Sequence, residues 1–206
     1  MPKKEAPLEY LDHYLPAGAS EKILDYLHKY NVHLTITRSR KSILGDYRHA
    51  TGSDNHRISV NGSLNKFAFL ITLIHELGHL ITFQQFGNSV VAHGKEWKRA
   101  YRILLEDFIR MKLFPSDLQE TLIKSLHNLP ASSCSDLSIT RVLKKYDAVD
   151  ETVLVENIRE GEIFRTADGK QFKRGRQIRK RIECTEIRSG KLYLFSPVYE
   201  VEQIKM

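Results

Sequence analysis

Hydrophobic residues in the first part of the chain change their spacing, and each change predicts a different element. Residues 20–30 have the three- and four-residue spacing of an amphipathic helix. Apolar and polar residues then alternate over 32–37, which is typical of a half-buried strand. Two more short strands are predicted at 43–48 and 57–60, with turn-forming residues at 51–55 between them. We therefore expect a small antiparallel sheet before the next helix.

The most apolar stretch, residues 67–83, is hydrophobic almost all round a helix, which predicts that the helix is buried. It is interrupted by His75, Glu76 and His79 and is shorter than a typical bilayer span. Positions four apart lie on one helix face, so the two histidines point the same way. Burying two imidazoles and a carboxylate costs free energy unless something replaces their hydration. A zinc ion would do so, with neutral imidazoles as ligands and Glu76 beside the ion's bound water.

A third histidine strengthens the metal interpretation. His93 follows His79 by fourteen residues and leads into a further predicted helix, about 95–110. Gly94, beside it, would let the backbone approach the first helix closely. The alternative is that His75 and His79 are core histidines bonded to carbonyl groups, and that His93 caps a helix.

The second half of the chain predicts another helix and then strands. The helix starts at Pro115 and Ser116 and stops before Pro130, and small polar residues follow it. The expected class is α+β, with a helical core that contains the candidate metal site and the small sheet (1–130), a linker (131–151) and a basic β-hairpin-rich subdomain (152–206). Strands of that subdomain are predicted at 152–155, 162–165, 181–185 and 192–195.

Composition narrows the class of protein. The chain has 206 residues, 41% of them hydrophobic and 28% charged, as in ordinary globular proteins. Its two cysteines, Cys134 and Cys184, exclude a disulfide framework. The polar residues 1–7 do not read as a secretory signal, so we expect a cytoplasmic protein without a membrane partner.

The formal net charge of +7 favours contact with polyanions. Residues 165–191 contain ten basic and three acidic residues, a local balance of +7, and the aromatic residues Phe164, Phe172, Tyr193 and Phe195 lie within or beside them. Such a segment suits phosphate contacts and base stacking, although a solvated hairpin with an aromatic core has the same composition. A second basic stripe lies on the predicted helix 95–110, opposite its apolar face. The candidate nucleic-acid contacts are Lys95, Lys98, Arg99, Arg102, Lys173, Arg174, Arg176, Arg179, Lys180 and Arg181.

The combination of HExxH at 75–79 and HGxxW at 93–97 resembles the SprT-like zinc metallopeptidases, whose eukaryotic members include the Spartan proteases. The resemblance covers about residues 8–130 and extends to the strands before the metal helix. It implies cleavage of proteins, notably those crosslinked to DNA, in a DNA-stimulated reaction. It also implies one zinc ion bound by His75, His79 and His93, with Glu76 as general base.

The chain departs from that family at its C-terminal end. Many relatives carry a zinc ribbon with four cysteines in two pairs, whereas Cys184 stands alone among the predicted strands. A structural zinc site needs about four N or S ligands. We therefore expect no second zinc site here.

Other functions and several roles remain open at this stage. The chain could instead be a non-hydrolytic nucleic-acid-associated factor with a structural metal, or an interaction module without metal. Glu76 argues for the enzyme, because a structural site has no use for a base. Tyr47, Arg48 and His49 are candidates for stabilising an oxyanion, and Asp46 for orienting a ligand histidine. Three histidines do not distinguish zinc from manganese or iron.

Overall fold

The chain divides into two compact units, residues 1–147 (unit 1) and 148–206 (unit 2). Unit 1 contains five helices and three strands among its described residues: α1 (Ser20–Lys29), β1 (Val32–Thr37), β2 (Gly45–Arg48), β3 (His56–Asn61), α2 (Lys66–Phe86), α3 (Lys95–Arg110), α4 (Ser116–Leu126) and α5 (Leu137–Lys144). Unit 2 contains β4 (Thr152–Leu154), β5 (Ile163–Arg165), β6 (Gln171–Ile178), β7 (Arg181–Glu186), β8 (Leu192–Phe195) and β9 (Glu200–Gln203). The computed structural model describes residues 8–38, 40, 43–52, 54–126, 136–148 and 152–204. The predicted α+β class, with a β-rich C-terminal region, is confirmed.

Helix α2 is the central element of unit 1. The side-chain oxygen of Asn65 caps it by accepting hydrogen bonds from the N–H groups of Phe67 (3.1 Å) and Ala68 (2.9 Å). Thirteen of its 21 residues are buried, as its all-round apolar sequence predicts. By length and composition α2 could cross a membrane, but 72% of its most apolar window is buried inside the protein, as in a core helix.

The sheet of unit 1 is mixed, so the expectation of a wholly antiparallel sheet was wrong. The strand order is β1-β3-β2, with β3 parallel to β1 and antiparallel to β2. The chain leaves β1 and forms β2 without pairing the two, and β3 then fills the gap between them. Alternating polarity identifies a strand but does not specify its partner, because pairing is decided by long-range packing. The result places β2 at an edge of the sheet.

The helices after α2 complete the core of unit 1. Helix α3 buries Trp97, Tyr101 and Leu104 on its apolar face. Helix α5 adds Ile139, which is 2% exposed in the same core. The unit boundary after Asp147 therefore falls inside the segment predicted as a linker, of which residues 131–135 and 149–151 lie outside the described part of the chain.

Unit 2 is an antiparallel sheet with the order β4-β9-β5-β6-β7-β8. Strands β4, β5, β7 and β8 lie where the sequence predicts them, whereas β6 and β9 were not predicted. Strand β6 is largely polar and exposed, with only Phe172 fully buried, so its hydrophobic signal is weak. Its register also shifts between Arg174 and Gln177.

Candidate metal centre

Three imidazoles converge where α2, α3 and the turn before α3 meet. The Nε2 atoms of His75 and His79 are 3.3 Å apart, and that of His93 lies 3.2 Å from the first and 2.9 Å from the second. His75 is buried, whereas His79 and His93 are half-buried. We call these three residues the histidine cluster. The structure thus brings together the three side chains that the motifs predict as ligands.

Hydrogen bonding alone does not account for this triangle. A ring nitrogen carries either a proton or a lone pair, so three mutually adjacent Nε2 atoms cannot all be paired with one another. Burial, followed by the neighbouring histidines, lowers the pKa of His75 to about 3, and burial with His93 lowers that of His79 to about 4. The rings are therefore neutral near pH 7, and their Nε2 atoms face one another. Tetrahedral ligands about 2.0–2.1 Å from a zinc ion are about 3.3 Å apart, so the cluster fits such an ion.

A tight turn presents the third histidine. His93 has φ 60°, in the left-handed region that side chains larger than glycine rarely adopt. The N–H of Gly94 donates to the carbonyl of Val91 at 2.9 Å, and a Cβ on Gly94 would lie 2.8 Å from that oxygen. Gly94 is thus needed for the turn itself. The sequence predicts that Gly94 lets the backbone approach α2 closely. In the structure it instead avoids a clash with the carbonyl of Val91.

Trp97 forms the buried floor of the histidine cluster. It is 0% exposed, and its ring centroid lies 4.6 Å, 5.3 Å and 4.7 Å from those of His75, His79 and His93. The indole therefore limits the movement of all three rings.

Gly78 allows α3 to pack closely on α2. A Cβ at this position would lie 3.1 Å from Nε1 of Trp97 and 3.3 Å from Cβ of Tyr101. Alanine would gain about 1 kcal/mol in helix propensity, but overpacking a core costs about 1–3 kcal/mol. The glycine of the first motif and the tryptophan of the second are therefore in direct contact.

Glu76 is 5% exposed and lies on the same helix turn as His75. Burial, followed by the charge of Asp46, raises its pKa to about 8, while the charge of Arg40 acts in the opposite direction. A bound divalent cation favours the charged form of a nearby carboxylate. The position expected for a general base is thus occupied by a carboxylate that is sheltered from bulk water.

The residues proposed for subsidiary roles have other contacts. Asp46 accepts a hydrogen bond from Nε of Arg48 at 2.9 Å, while Nδ1 of His75 is buried without a partner among the described residues. The hydroxyl of Tyr47 lies 2.9 Å from Nδ1 of His56, and its ring is parallel to that of His79 at 6.5 Å. The ring of His49 stacks on Phe83 at 4.5 Å. These contacts do not support Asp46 as the acceptor for His75.

Two residues beside Glu76 were not singled out from the sequence. Gly45 lies against the carboxylate, and Arg40 binds the strand that contains Gly45. A glycine inside a predicted strand is a signal for close approach of another group. Nothing local to Arg40 indicates its two side-chain partners, because Ser59 and Asn61 are nineteen and 21 residues away.

The predicted nucleic-acid contacts lie in two separate groups. On α3, Lys95, Arg99 and Arg102 are exposed and Lys98 is half-buried. Strands β6 and β7 and their turn form a hairpin, here called the basic hairpin, whose exposed cations are Lys173, Arg176, Arg179, Lys180 and Arg181.

Some residues of the basic segment face the interior. The side chain of Arg174 is 16% exposed, and its guanidinium lies 3.4 Å from Glu160. Phe164 and Phe172 are 0% and 3% exposed and stack on each other in the core of unit 2. Tyr193 is 39% exposed. Of these aromatic side chains, only Tyr193 has a substantially exposed ring, so most of the aromatic content of the segment serves packing.

The fold and the histidine cluster together define an α+β protein with a candidate metal centre on two packed helices. The family model of the SprT-like family matches residues 16–113, which contain the cluster, Glu76 and the three-stranded sheet. This part of the chain therefore matches the SprT-like family, which confirms the resemblance noted from its motifs. No curated protein and no solved structure gives a match.

Proposed function

We propose that this protein is a zinc-dependent endopeptidase of the SprT-like type. His75, His79 and His93 would hold one zinc ion, and Glu76 would act as general base. The observation that carries the proposal is the triangle of Nε2 atoms, 2.9–3.3 Å apart, with a buried carboxylate on the next residue. The family match over residues 16–113 supports the same class of activity.

The chain's own groups divide the work of peptide hydrolysis. His75, His79 and His93 would hold a zinc ion, which as a Lewis acid would polarise a peptide carbonyl and lower the pKa of bound water towards neutrality. Glu76 accepts the proton from the attacking water and then delivers it to the leaving amine. Trp97 packs against the three imidazole rings and limits their movement. Burial of Glu76 limits proton exchange with bulk water.

The rival function, a nucleic-acid-associated factor with a structural metal, has less support. A structural zinc site usually has four protein ligands in a closed shell, whereas a catalytic one has three and an open position. The described residues offer three ligands, and two of them, His79 and His93, are only half-buried. A buried carboxylate next to a ligand has no role in a purely structural site.

A Glu76→Gln variant tests the proposal. The zinc-loaded variant should retain one ion per chain by elemental analysis but cleave a labelled unfolded casein at least about 100-fold more slowly, because general-base catalysis contributes about 10²–10⁴-fold. Glu120→Gln, an exposed position on α4, is the control and should cleave at the wild-type rate. Equal activity in Glu76→Gln and wild type would exclude the mechanism. Zinc well below one per chain in metal-replete wild type would favour an interaction module.

We further propose that the substrates are proteins associated with DNA. The proposal is supported by the net charge of +7, the exposed cations of α3 beside the third ligand, and the basic hairpin. Neutralising phosphates with lysine and arginine releases counterions and drives binding without sequence preference. Titrating single- and double-stranded DNA into the proteolysis assay should increase cleavage of a DNA-binding substrate. Polyglutamate, a polyanion without phosphates or bases, is the control; an equal effect of both polymers, or none from DNA, would contradict the proposal.

A further inference from the structure

The carboxylate of Glu76 rests directly on the backbone of the edge strand β2. A Cβ built on Gly45 would lie 2.6 Å from Oε1 of Glu76, 3.0 Å from its Cγ and 2.7 Å from Cγ2 of Thr72. No side chain larger than hydrogen fits at those distances without displacing its neighbours. Gly45 is not among the described glycines with positive φ. Its lack of a side chain is therefore required for space rather than for backbone conformation.

Arg40 and Asn61 fix the backbone that enters β2. Nε of Arg40 donates to Oδ1 of Asn61 at 2.8 Å, and its Nη1 donates to Oγ of Ser59 at 3.1 Å. In return, Nδ2 of Asn61 donates to the Arg40 carbonyl at 3.1 Å. The carbonyl of Leu44, the residue before Gly45, accepts the Asn61 N–H at 2.9 Å and lies 3.5 Å from Nη2 of Arg40. This closed set of contacts ties the start of β2 to β3.

We propose that Gly45 and Arg40 are positioning residues for Glu76. Gly45 supplies the space that the carboxylate occupies, and Arg40, through Asn61 and Leu44, holds the strand that forms the wall of this space. The inference rests on the proposed role of Glu76 as general base. A displacement of about 1 Å in a catalytic group can cost about 100-fold in rate, so small movements of this wall would be measurable.

Gly62 provides a matched control for crowding. A Cβ on Gly62 would lie 2.7 Å from Cγ2 of Ile36 and 3.3 Å from the carbonyl of Thr37, so alanine there is crowded to a similar degree. Glu76 is not among the nearest atoms to that position. Alanine at 45 and alanine at 62 should both lower stability, but only the first should move the carboxylate.

The first experiment compares zinc-loaded Gly45→Ala and Gly62→Ala in the full chain. We expect Gly45→Ala to bind one zinc ion and to lose about 100-fold in kcat with KM changed less than about twofold. Gly62→Ala should keep the wild-type kcat per folded, zinc-loaded molecule. A wild-type kcat in Gly45→Ala, or an equal loss in Gly62→Ala, would overturn the assignment of Gly45.

The second experiment addresses Arg40 and does not depend on the folding of an alanine variant at position 45. Arg40→Met should lower kcat by about tenfold, as expected for partial misplacement of a catalytic group. Arg40→Lys should recover part of the loss, because lysine keeps the charge and one hydrogen bond but not the guanidinium geometry. Arg57→Met, an exposed arginine on β3 that pairs with Asp54, is the control. A wild-type kcat in Arg40→Met would overturn the role of Arg40.

A spectroscopic readout separates this inference from the proposed function. The visible absorption spectrum of Co²⁺-substituted protein reports the surroundings of the ion without requiring turnover. The spectrum of Gly45→Ala should shift in the direction of Glu76→Gln, while Gly62→Ala keeps the wild-type spectrum. If neither the wild type nor any variant cleaves protein, the proposed function fails, but a shift shared by Gly45→Ala and Glu76→Gln and absent from Gly62→Ala still supports the positioning role. Identical spectra for Gly45→Ala and wild type would overturn it.

Discussion

The histidine cluster and the basic hairpin are both rich in polar groups, but they differ in what surrounds those groups. The Nε2 atoms of the cluster lie 2.9–3.3 Å apart beside a fully buried indole. The cations of the hairpin are mostly exposed, as Arg179, Lys180 and Arg181 illustrate. Buried polar groups need a compensating partner, whereas exposed ones are compensated by water. The geometry of the cluster therefore indicates a metal ion as its ligand, while the charge of the hairpin indicates only that its partner would be anionic.

A fourth histidine sharpens this comparison within unit 1. His56 is as buried as His75, each being 7% exposed, but both of its ring nitrogens have partners. Nδ1 lies 2.9 Å from the hydroxyl of Tyr47 and 3.2 Å from the N–H of Ala50, and Nε2 lies 2.8 Å from the amide of Gln84. Because the lone pair of Nδ1 accepts the backbone N–H, the proton of the neutral ring is on Nε2, next to the Gln84 amide. His56 is thus a core histidine with a protein partner at each ring nitrogen, unlike the histidines of the cluster.

Removing a member of the cluster should have the largest effect. His93→Ala should weaken zinc binding by more than about 100-fold, because even groups that only hydrogen-bond to metal ligands contribute about 10–100-fold. Competition with a chromophoric zinc chelator measures this change. His33→Ala, an exposed histidine on β1, is the control and should bind zinc as the wild type does. Equal zinc affinity in all three proteins would show that His93 is not a ligand.

Protonation of His56 should have an intermediate effect. Burial, followed by the nearby charge of His49, lowers the pKa of His56 below its usual 6.5, so the unfolded chain binds more protons than the folded one just below that pH. Stability contributed by neutral His56 is therefore complete above about pH 6.5 and is lost as the pH falls towards the folded-state pKa. The loss cannot exceed about 1.4 kcal/mol per pH unit for one proton.

Urea unfolding of metal-free protein at pH 7 and pH 5 checks this prediction. Other groups titrate in the same range, so the informative quantity is the difference between wild type and His56→Asn, in which an amide oxygen replaces Nδ1 as acceptor. The wild type should lose more stability than the variant between the two pH values. Equal losses would show that His56 titrates alike in the folded and unfolded states.

Neutralising the tip of the basic hairpin should have the smallest effect on the fold. Arg179→Gln combined with Lys180→Gln should change the free energy of unfolding by less than about 0.5 kcal/mol, because both side chains are exposed. If both contact phosphates, the slope of log affinity for double-stranded DNA against log salt should fall by about 2. Fluorescence anisotropy at several salt concentrations measures the slope.

A second pair of charges in the same unit supplies the control for the hairpin. Arg188→Gln combined with Lys191→Gln removes the same charge from the turn between β7 and β8, where both residues are exposed. If this pair lowers the slope as much as the tip does, binding depends on overall charge rather than on the hairpin. An unchanged slope in the tip variant would remove the tip from the interface.

Sequence patterns predicted most of the site because the relevant signals are local. The four-residue spacing of His75 and His79 places them on one face of any helix, and the apolar residues around them require that helix to be buried. Gly94 and Trp97 lie within four residues of His93, so the second motif is equally local. The predicted bounds of α3, 95–110, match the structure for the same reason.

Contacts between distant segments were decided only by tertiary structure. The parallel pairing of β1 with β3, the place of Gly45 against Glu76 and the contacts of Arg40 with Ser59 and Asn61 join residues nineteen or more positions apart. Side-chain periodicity reports which face of an element is buried, but it does not report what lies against that face. The sequence by itself therefore determined a buried helix with metal-binding chemistry. Packing of the edge strand determined where the carboxylate of Glu76 lies, because that position depends on space left by a residue far away in the chain.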